Sequence, residues 1–364
     1  MTTDAPYVRF FDEGGDPTVE LLGGKCASLV SMTGAGMPVP PGFAITTAAY
    51  DAFVDATGIR DEISHKLATL DADHVSSVDA ASATIRDHLT SRPMPEPVRA
   101  AIVAAYQSLQ DRFSSPVPVA VRSSATAEDL PGASFAGQQD TYLWVTGLDS
   151  VLHHVRECWA SLYTSRAIIY RLRNDIPDLG LSMAVAVQKM VNSSVSGVAI
   201  TMNPTTGDRS KITIDASYGV GEMVVSGQVT PDNILLDKVM LSIVSETIGD
   251  KHAELVPDAT AGDLVEVPVD PERRTRRCLT DDEVVAVATM AKRAEKHYGC
   301  PQDIEWAYDS DLPPGEGLLL LQSRPETVHS APAATTTPST PSTLGPATGL
   351  LSGITASLTN RNPS

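Results

Sequence analysis

The chain has 364 residues, a formal net charge of −18, and 42% hydrophobic against 20% charged residues. That length and apolar content suit one large lobe or a few small ones with a sizeable core. The acidity argues against nonspecific nucleic-acid binding and against docking on an anionic membrane surface.

Cys26, Cys158, Cys278 and Cys300 stand far apart with no CxxC pair, which fits free thiols in a reducing compartment and argues against zinc. The N-terminal MTTDAPYVRF has no basic start followed by an apolar run, so no signal peptide is expected. No stretch approaches the roughly 18 apolar residues of a membrane span. A cytoplasmic protein is the expectation.

In chain order, Gly23 and Gly24 signal a turn. From Lys25 onward Leu29, Val30 and Met32 mark the apolar side of a helix. A Lys at such a helix start opposes the dipole, and a phosphate bound there would offset the cost; a solvated Lys is the alternative. A turn-rich connector, Gly34 to Gly42, leads to a strand at Phe43 to Thr46, and residues 47 to 112 read as helices with an ambiguous polar stretch at 70 to 82. His65, His74 and His88 in that region read as solvated.

A short apolar strand, Pro118 to Val121, then opens into VRSSATAEDLPGASFAGQQDTY, which spans Val121 to Tyr142. A loop so rich in glycine and hydroxyls offers unhindered backbone N–H groups to an anion. Arg122 at its start carries a planar fork suited to phosphate. A surface loop with Arg122 paired to Asp129 or Glu128 is the alternative.

Leu148 to Arg173 reads as one long amphipathic helix, with Leu148, Leu152, Val155, Trp159 and Leu162 on its apolar side. Its His153 and His154 are read as packing or surface residues. The near-continuous apolar run Met183 to Val191 predicts a central strand. Strands at Val198 to Met202 and Lys211 to Asp215 are joined by the turn Asn203 to Gly207. Glu222 is either a structural carboxylate or a group that orients a Lys or a metal-bound water. Arg273, Arg274, Arg276 and Arg277 form a basic patch, either a solvated loop or a partner contact.

Thr280 and Glu283 make a capping box for a helix running to Tyr298, with Gly299 as its C-terminal glycine. Gln302 to Tyr308 is an alternating strand with Asp303, Glu305 and Ala307 on one face. After the turn Pro313 to Gly317, Gln322 and Arg324 share a face of the next strand. If those faces align, Glu305, Gln322 and Arg324 converge, and an acid and an amide oxygen can share Mg²⁺. A plain surface hairpin is the alternative. From Ser330 to Pro346 the chain is a linker of Ala, Pro, Thr and Ser.

Several of these segments carry a resemblance. GGKCASLVSMTGAGMPVPPGFAIT, SFAGQQDTYL, SYGVGEMVVSGQVTPD, and QDIEWA followed by LLLQSRPET resemble, in order, the N-terminal ATP-binding domain shared by phosphoenolpyruvate synthase, pyruvate phosphate dikinase and rifampicin phosphotransferase. A match of this length is far more specific than a lone glycine motif.

The resemblance implies an α/β (α+β) fold, an ATP-grasp nucleotide-binding domain of two or more lobes. Residues 1–186 would form an N-terminal lobe with phosphate-binding residues. Residues 187–328 would form a C-terminal lobe with adenine and Mg-binding residues, and 329–364 a Pro/Thr/Ala-rich linker and tail. It implies Lys25, Arg122 and Arg324 on the phosphates as the catalytic charges, Gly137 and Thr141 in the phosphate loop, and Gln188 near adenosine in the segment Gln188–Met190. Glu305 and Gln322 would hold Mg²⁺.

The implied chemistry uses ATP and Mg²⁺ to phosphorylate a histidine, with AMP and phosphate released. None of the eight histidines stands in a TSHxA-type context. The expected partner is therefore a separate subunit carrying the phosphohistidine and acceptor-binding domains. In extent the chain is similar to the small ATP-binding subunit of two-subunit phenylphosphate synthases, which points to a phenolic acceptor. A split phosphoenolpyruvate synthase, an antibiotic phosphotransferase subunit, a non-catalytic ATP sensor and an autonomous ATP-grasp ligase stay as alternatives.

Overall fold

The structure, a computed structural model, describes residues 6–126, 140–174, 176, 181–258 and 262–327. The first elements are β1 (Val8–Phe10), α1 (Val19–Gly34) and β2 (Gly42–Ile45). Helices α2 (Thr47–Thr57), α3 (Ile59–Leu67), α4 (Val75–Ser91) and α5 (Glu96–Gln110) follow, then β3 (Val119–Ala125) and β4 (Thr141–Val145). Next come α6 (Leu148–Ala160), a 3₁₀ turn at Ser161–Tyr163, α7 (Ser165–Arg173) and β5 (Met183–Lys189). These five strands form an antiparallel sheet in the order β1-β2-β5-β3-β4.

Alternation sets the two faces of this sheet. Val119, Val121, Val185 and Val187 point into a core with Tyr50, Phe53, Ile102, Val155 and Trp159 of the helices. The opposite face carries Ala44, Ala184 and Ala186, and these small side chains pack in one core with Leu22, Cys26 and Leu29 of α1.

The remaining elements are β6 (Ser193–Ile200), β7 (Lys211–Tyr218), α8 (Glu222–Val225), β8 (Asp232–Asp237), β9 (Ile243–Thr247), β10 (Ala253–Asp258) and β11 (Asp263–Pro268). They end with α9 (Pro271–Arg274), α10 (Asp281–Tyr298), β12 (Gln302–Asp309) and β13 (Leu318–Pro325). A second antiparallel sheet runs β13-β12-β6-β7-β8-β9, and β10 pairs with β11 alone. Ile212, Ile214, Ile234, Ile304 and Trp306 turn one face of it toward Val284, Val287 and Ala291 of α10, in the same core that α1 shares. Residues 1–330 accordingly form one compact unit.

One expectation is corrected. The single helix expected over Leu148 to Arg173 is two: the chain turns at Ser161–Tyr163, and Thr164, in an extended conformation, caps α7 by accepting a hydrogen bond from the Ala167 N–H at 3.3 Å. The arginines of the basic patch each have a local acidic partner. Arg273 pairs with Glu254, Arg274 with Asp250, Arg276 with Glu272, and Arg277 with Glu246 and Asp281. The capping box of Thr280 and Glu283 is present, and Gly299 ends α10 in the left-handed region. β5 (Met183–Lys189) belongs to the first sheet and β6 (Ser193–Ile200) to the second. The expected linker from 329 lies outside the described residues.

Candidate functional site

The site lies where the two sheets face each other, and β3 is its centre. Ala120, Arg122 and Ser124 point away from the helical core, toward α1 and the second sheet. Arg122 Nη2 donates to Glu305 Oε2 at 3.0 Å and to Gln322 Oε1 at 2.8 Å. Glu305 and Gln322 are direct cross-strand partners on β12 and β13, followed by a bulge that puts Trp306 opposite Leu320. A local sequence pattern thus aligns the acid with the amide, and the tertiary fold brings the guanidinium to both. Arg122 Nε is buried and has no hydrogen-bond partner among the described residues. One donor of the fork is left over for a ligand oxygen.

Lys25 reaches the same place through α1. The helix is kinked at Gly23, which has φ 65° and ψ 171°. A Cβ at that glycine would collide with the Ser124 carbonyl. The kink starts a new helical segment at Lys25, and Ser124 serves it from outside the helix: its Oγ accepts from the Cys26 N–H at 3.0 Å and donates to the Leu22 carbonyl at 2.9 Å. Lys25, 8% exposed, donates from Nζ to the Ser123 carbonyl at 2.7 Å, one residue from Arg122.

Arg324 pairs with Asp303 at 2.8 Å, one step along the same face from Glu305 and Gln322. Burial pushes the Asp303 carboxyl above the ordinary carboxylate range, against the lowering pull of Arg324. Gln188 lies opposite Ala120, on the Arg122 face, and its amide donates to the Pro40 carbonyl at 3.2 Å. The N–H groups of Lys189 and Met190 are already taken by the Pro41 and Pro118 carbonyls. Thr141 is exposed and sits directly across from Arg122 on β4. Gly137 lies outside the described residues, as do Glu128 and Asp129.

Three contacts here were not foreseen. Asp303 shares the Glu305 face in the sequence pattern, but its bond to Arg324 needs the register of β12 on β13. Ser124 is part of the hydroxyl-rich stretch, yet its capping of α1 crosses about a hundred residues of chain. Lys189 is 11% exposed and pairs with Asp309, 1% exposed, at 2.7 Å, and nothing in either segment signals the other.

Two basic side chains from one sheet and its helix thus face an acid, an amide and a third base from the other. Charged and hydrogen-bonding groups distant in the chain are gathered where the two sheets meet. Residues 19–343 match the family of the pyruvate phosphate dikinase, AMP/ATP-binding domain, and the chain belongs to that family. It is similar to a probable phosphoenolpyruvate synthase of Methanothermobacter thermautotrophicus, 45% identical over 88% of this chain and 46% of the relative. It is similar also to one of Staphylothermus marinus, 43% identical over 89% of this chain and 42% of the relative. The phosphoenolpyruvate synthase of Pyrococcus furiosus is 41% identical over 88% of this chain and 44% of its own length. The chain spans less than half the length of these relatives. A solved structure, of the D-cycloserine synthetase DcsG, covers 69% of this chain and 71% of its own, at 14% identity and a TM-score of 0.19, which is too low to carry an argument.

Among the described residues no helix is long and apolar enough to cross a membrane, and no group of three or more His, Cys, Asp or Glu could hold a metal ion by itself. Glu305 and Gln322 do aim two oxygens at one point, the Arg122 Nη2. A pair of oxygens completed by substrate phosphates fits Mg²⁺, which takes few protein ligands at such sites.

Proposed function

We propose that this chain is the ATP-using subunit of a dikinase-type phosphotransferase. Lys25, Arg122 and Arg324 hold the phosphates, Thr141, across from Arg122 at the start of β4, adds a hydroxyl beside them, and Gln188 lies beside the adenosine. Glu305 and Gln322 hold Mg²⁺, which when bound neutralises phosphate charge. The observation that carries this reading is the shared hold of Glu305 and Gln322 on Arg122, whose Nε keeps a spare buried donor.

In this reading a histidine nitrogen of a partner subunit attacks the β-phosphorus. The bond from that phosphorus to the α-phosphate bridging oxygen breaks, and AMP leaves. Water then takes the terminal phosphate, leaving phosphohistidine, which passes its phosphoryl group to an acceptor. Such chemistry is mainly positioning and charge neutralisation. The chain contributes fixed cations on both sides of the triphosphate.

The relatives named as phosphoenolpyruvate synthases favour an acceptor arm that forms phosphoenolpyruvate. The phenolic acceptor expected from the sequence rests on similarity in extent, and no described side chain speaks for it. Incubating the chain and its histidine-bearing partner with Mg²⁺ and ATP labelled on the β- or γ-phosphate tests the reading. The expected result is AMP, label from the β-position on an acid-labile histidine, and γ-label released as phosphate. ADP as the product would overturn it in favour of a ligase, and tight binding without turnover in favour of a sensor. Adding pyruvate or a phenol to the phosphorylated partner then assigns the acceptor.

A further inference from the structure

The face of the second sheet that carries Glu305 continues sideways, and its next polar pair has no role in the site described above. Cross-strand partners share a face. The registers run Gln322–Glu305 on β13 and β12, Glu305–Val198 on β12 and β6, Val198–Asp215 on β6 and β7, and Asp215–Asn233 on β7 and β8. Asp215 therefore stands in the same row as Glu305 and Gln322. At the usual strand spacing it is about 10 Å from Glu305 across Val198.

Three observations point to what this carboxylate meets. It is only half-buried, and among the described residues no cation pairs with it. Its hydrogen-bond partner is the Asn233 amide, which donates to one carboxylate oxygen at 2.6 Å, so the other oxygen faces away from that bond. Burial lifts its pKa above the ordinary carboxylate range, so a bonded donor there would restore part of what the ionised form has lost.

The outer edge of β13 is meanwhile occupied. The Leu320 N–H donates to the Pro38 carbonyl at 2.8 Å, and Ser28 Oγ donates to the Ser323 carbonyl at 2.9 Å. A nucleotide whose phosphates lie at Glu305 and Gln322 extends the other way, over Val198 toward Asp215. The separation matches the reach from the outer phosphates to the sugar, and a carboxylate is the group that proteins set against ribose hydroxyls.

We propose that Asp215, oriented by Asn233, accepts hydrogen bonds from the ribose hydroxyls of the bound nucleotide and makes the site select ribonucleotides over 2′-deoxyribonucleotides. This rests on the reading that places the phosphates between Arg122 and Glu305. Because the test is a ratio of binding constants, absence of turnover leaves it readable, whereas absence of ATP binding would count against that reading first.

The experiment measures Kd for ATP and 2′-deoxy-ATP with Mg²⁺, on the full chain and on Asp215→Asn, Asp215→Ala and Asn233→Ala, each checked by circular dichroism. The wild-type chain binds ATP on the order of 10-fold or more tighter than 2′-deoxy-ATP, the scale of one hydrogen bond to a charged group. Asp215→Ala brings the ratio close to one by weakening ATP binding more than 2′-deoxy-ATP binding. Asn233→Ala leaves an intermediate ratio, because it removes only the orienting bond. A wild-type ratio near one overturns the proposal. So does a ratio that persists in Asp215→Ala, or in Asp215→Asn should the Ala variant not fold.

Discussion

Arg122 occupies the point where the Glu305 and Gln322 oxygens meet, 3.0 Å from the one and 2.8 Å from the other. Its removal takes away the cation that balances Glu305 and, in the proposed reading, a charge on the phosphates. Arg122→Ala is expected to lower AMP formation by on the order of 10² or more, the loss seen when a transition-state charge stabiliser is deleted. Arg122→Lys should restore only part of it, because a point charge cannot replace a planar fork. A variant with wild-type turnover in the presence of the histidine-bearing partner would remove Arg122 from the site.

Asp303 gives a pH-dependent prediction at the same scale. Its folded pKa is raised by burial, and Arg324 works against the rise. A carboxyl raised in this way favours the native state while protonated, and the stability it contributes is lost as pH rises through the folded value. Arg324→Ala removes the opposing charge and raises that value further. Thermal melts of the variant and the wild type should therefore differ most at neutral pH and converge as the pH is lowered and the Asp303 carboxyl takes up its proton in both. A constant difference across that range would show that the Arg324 charge is not what Asp303 senses.

Among the elements, α1 is the most constrained. Its kink at Gly23 needs both a left-handed φ and the absence of a side chain against Ser124. Gly23→Ala should cost at least about 2 kcal/mol from backbone strain and collision, and weaken ATP binding by displacing Lys25. Gly34 of the same helix has open space around its Cα, so Gly34→Ala should stabilise by about 0.5 kcal/mol, the ordinary gain of alanine over glycine. Chemical denaturation of both variants separates the special glycine from the incidental one. At the start of α10, Thr280→Ala removes the Oγ1 that accepts from the Glu283 N–H, leaving only the backbone half of the capping box, and should cost about 1 kcal/mol.

At the scale of the molecule, the two sheets share one core through α1 and α10. Denaturant unfolding followed by tryptophan fluorescence and by circular dichroism should therefore give one coincident transition. Where the chain passes from one sheet to the other, Lys189 grips Asp309 and the Asn192 amide donates to Asp311 at 2.9 Å. Lys189→Met leaves Asp309 buried without its cation and should destabilise by about 3–5 kcal/mol. An unchanged midpoint would mean that the pair is as well solvated apart as together.

Much of this was legible along the chain. The apolar run of β5 announces an inner strand, and the Thr280–Glu283 spacing announces a helix start, because both are read from neighbours within a few residues. The alternation of β12 and β13 sets Glu305 with Asp303 and Gln322 with Arg324, and leaves to the register whether the two faces align. The matched segments determine the family. Tertiary structure alone decided that Arg122 closes on Glu305 across 183 residues of chain, that Arg324 meets Asp303 rather than Glu305, and that Ser124 caps a helix it does not belong to. It also decided that the helix expected over Leu148 to Arg173 breaks at Thr164. The physical reason is the same in each case. Periodicity and capping are local properties of a chain, whereas a charge pair or an imported cap exists only once distant backbones have packed, and either partner alone carries no mark of the other.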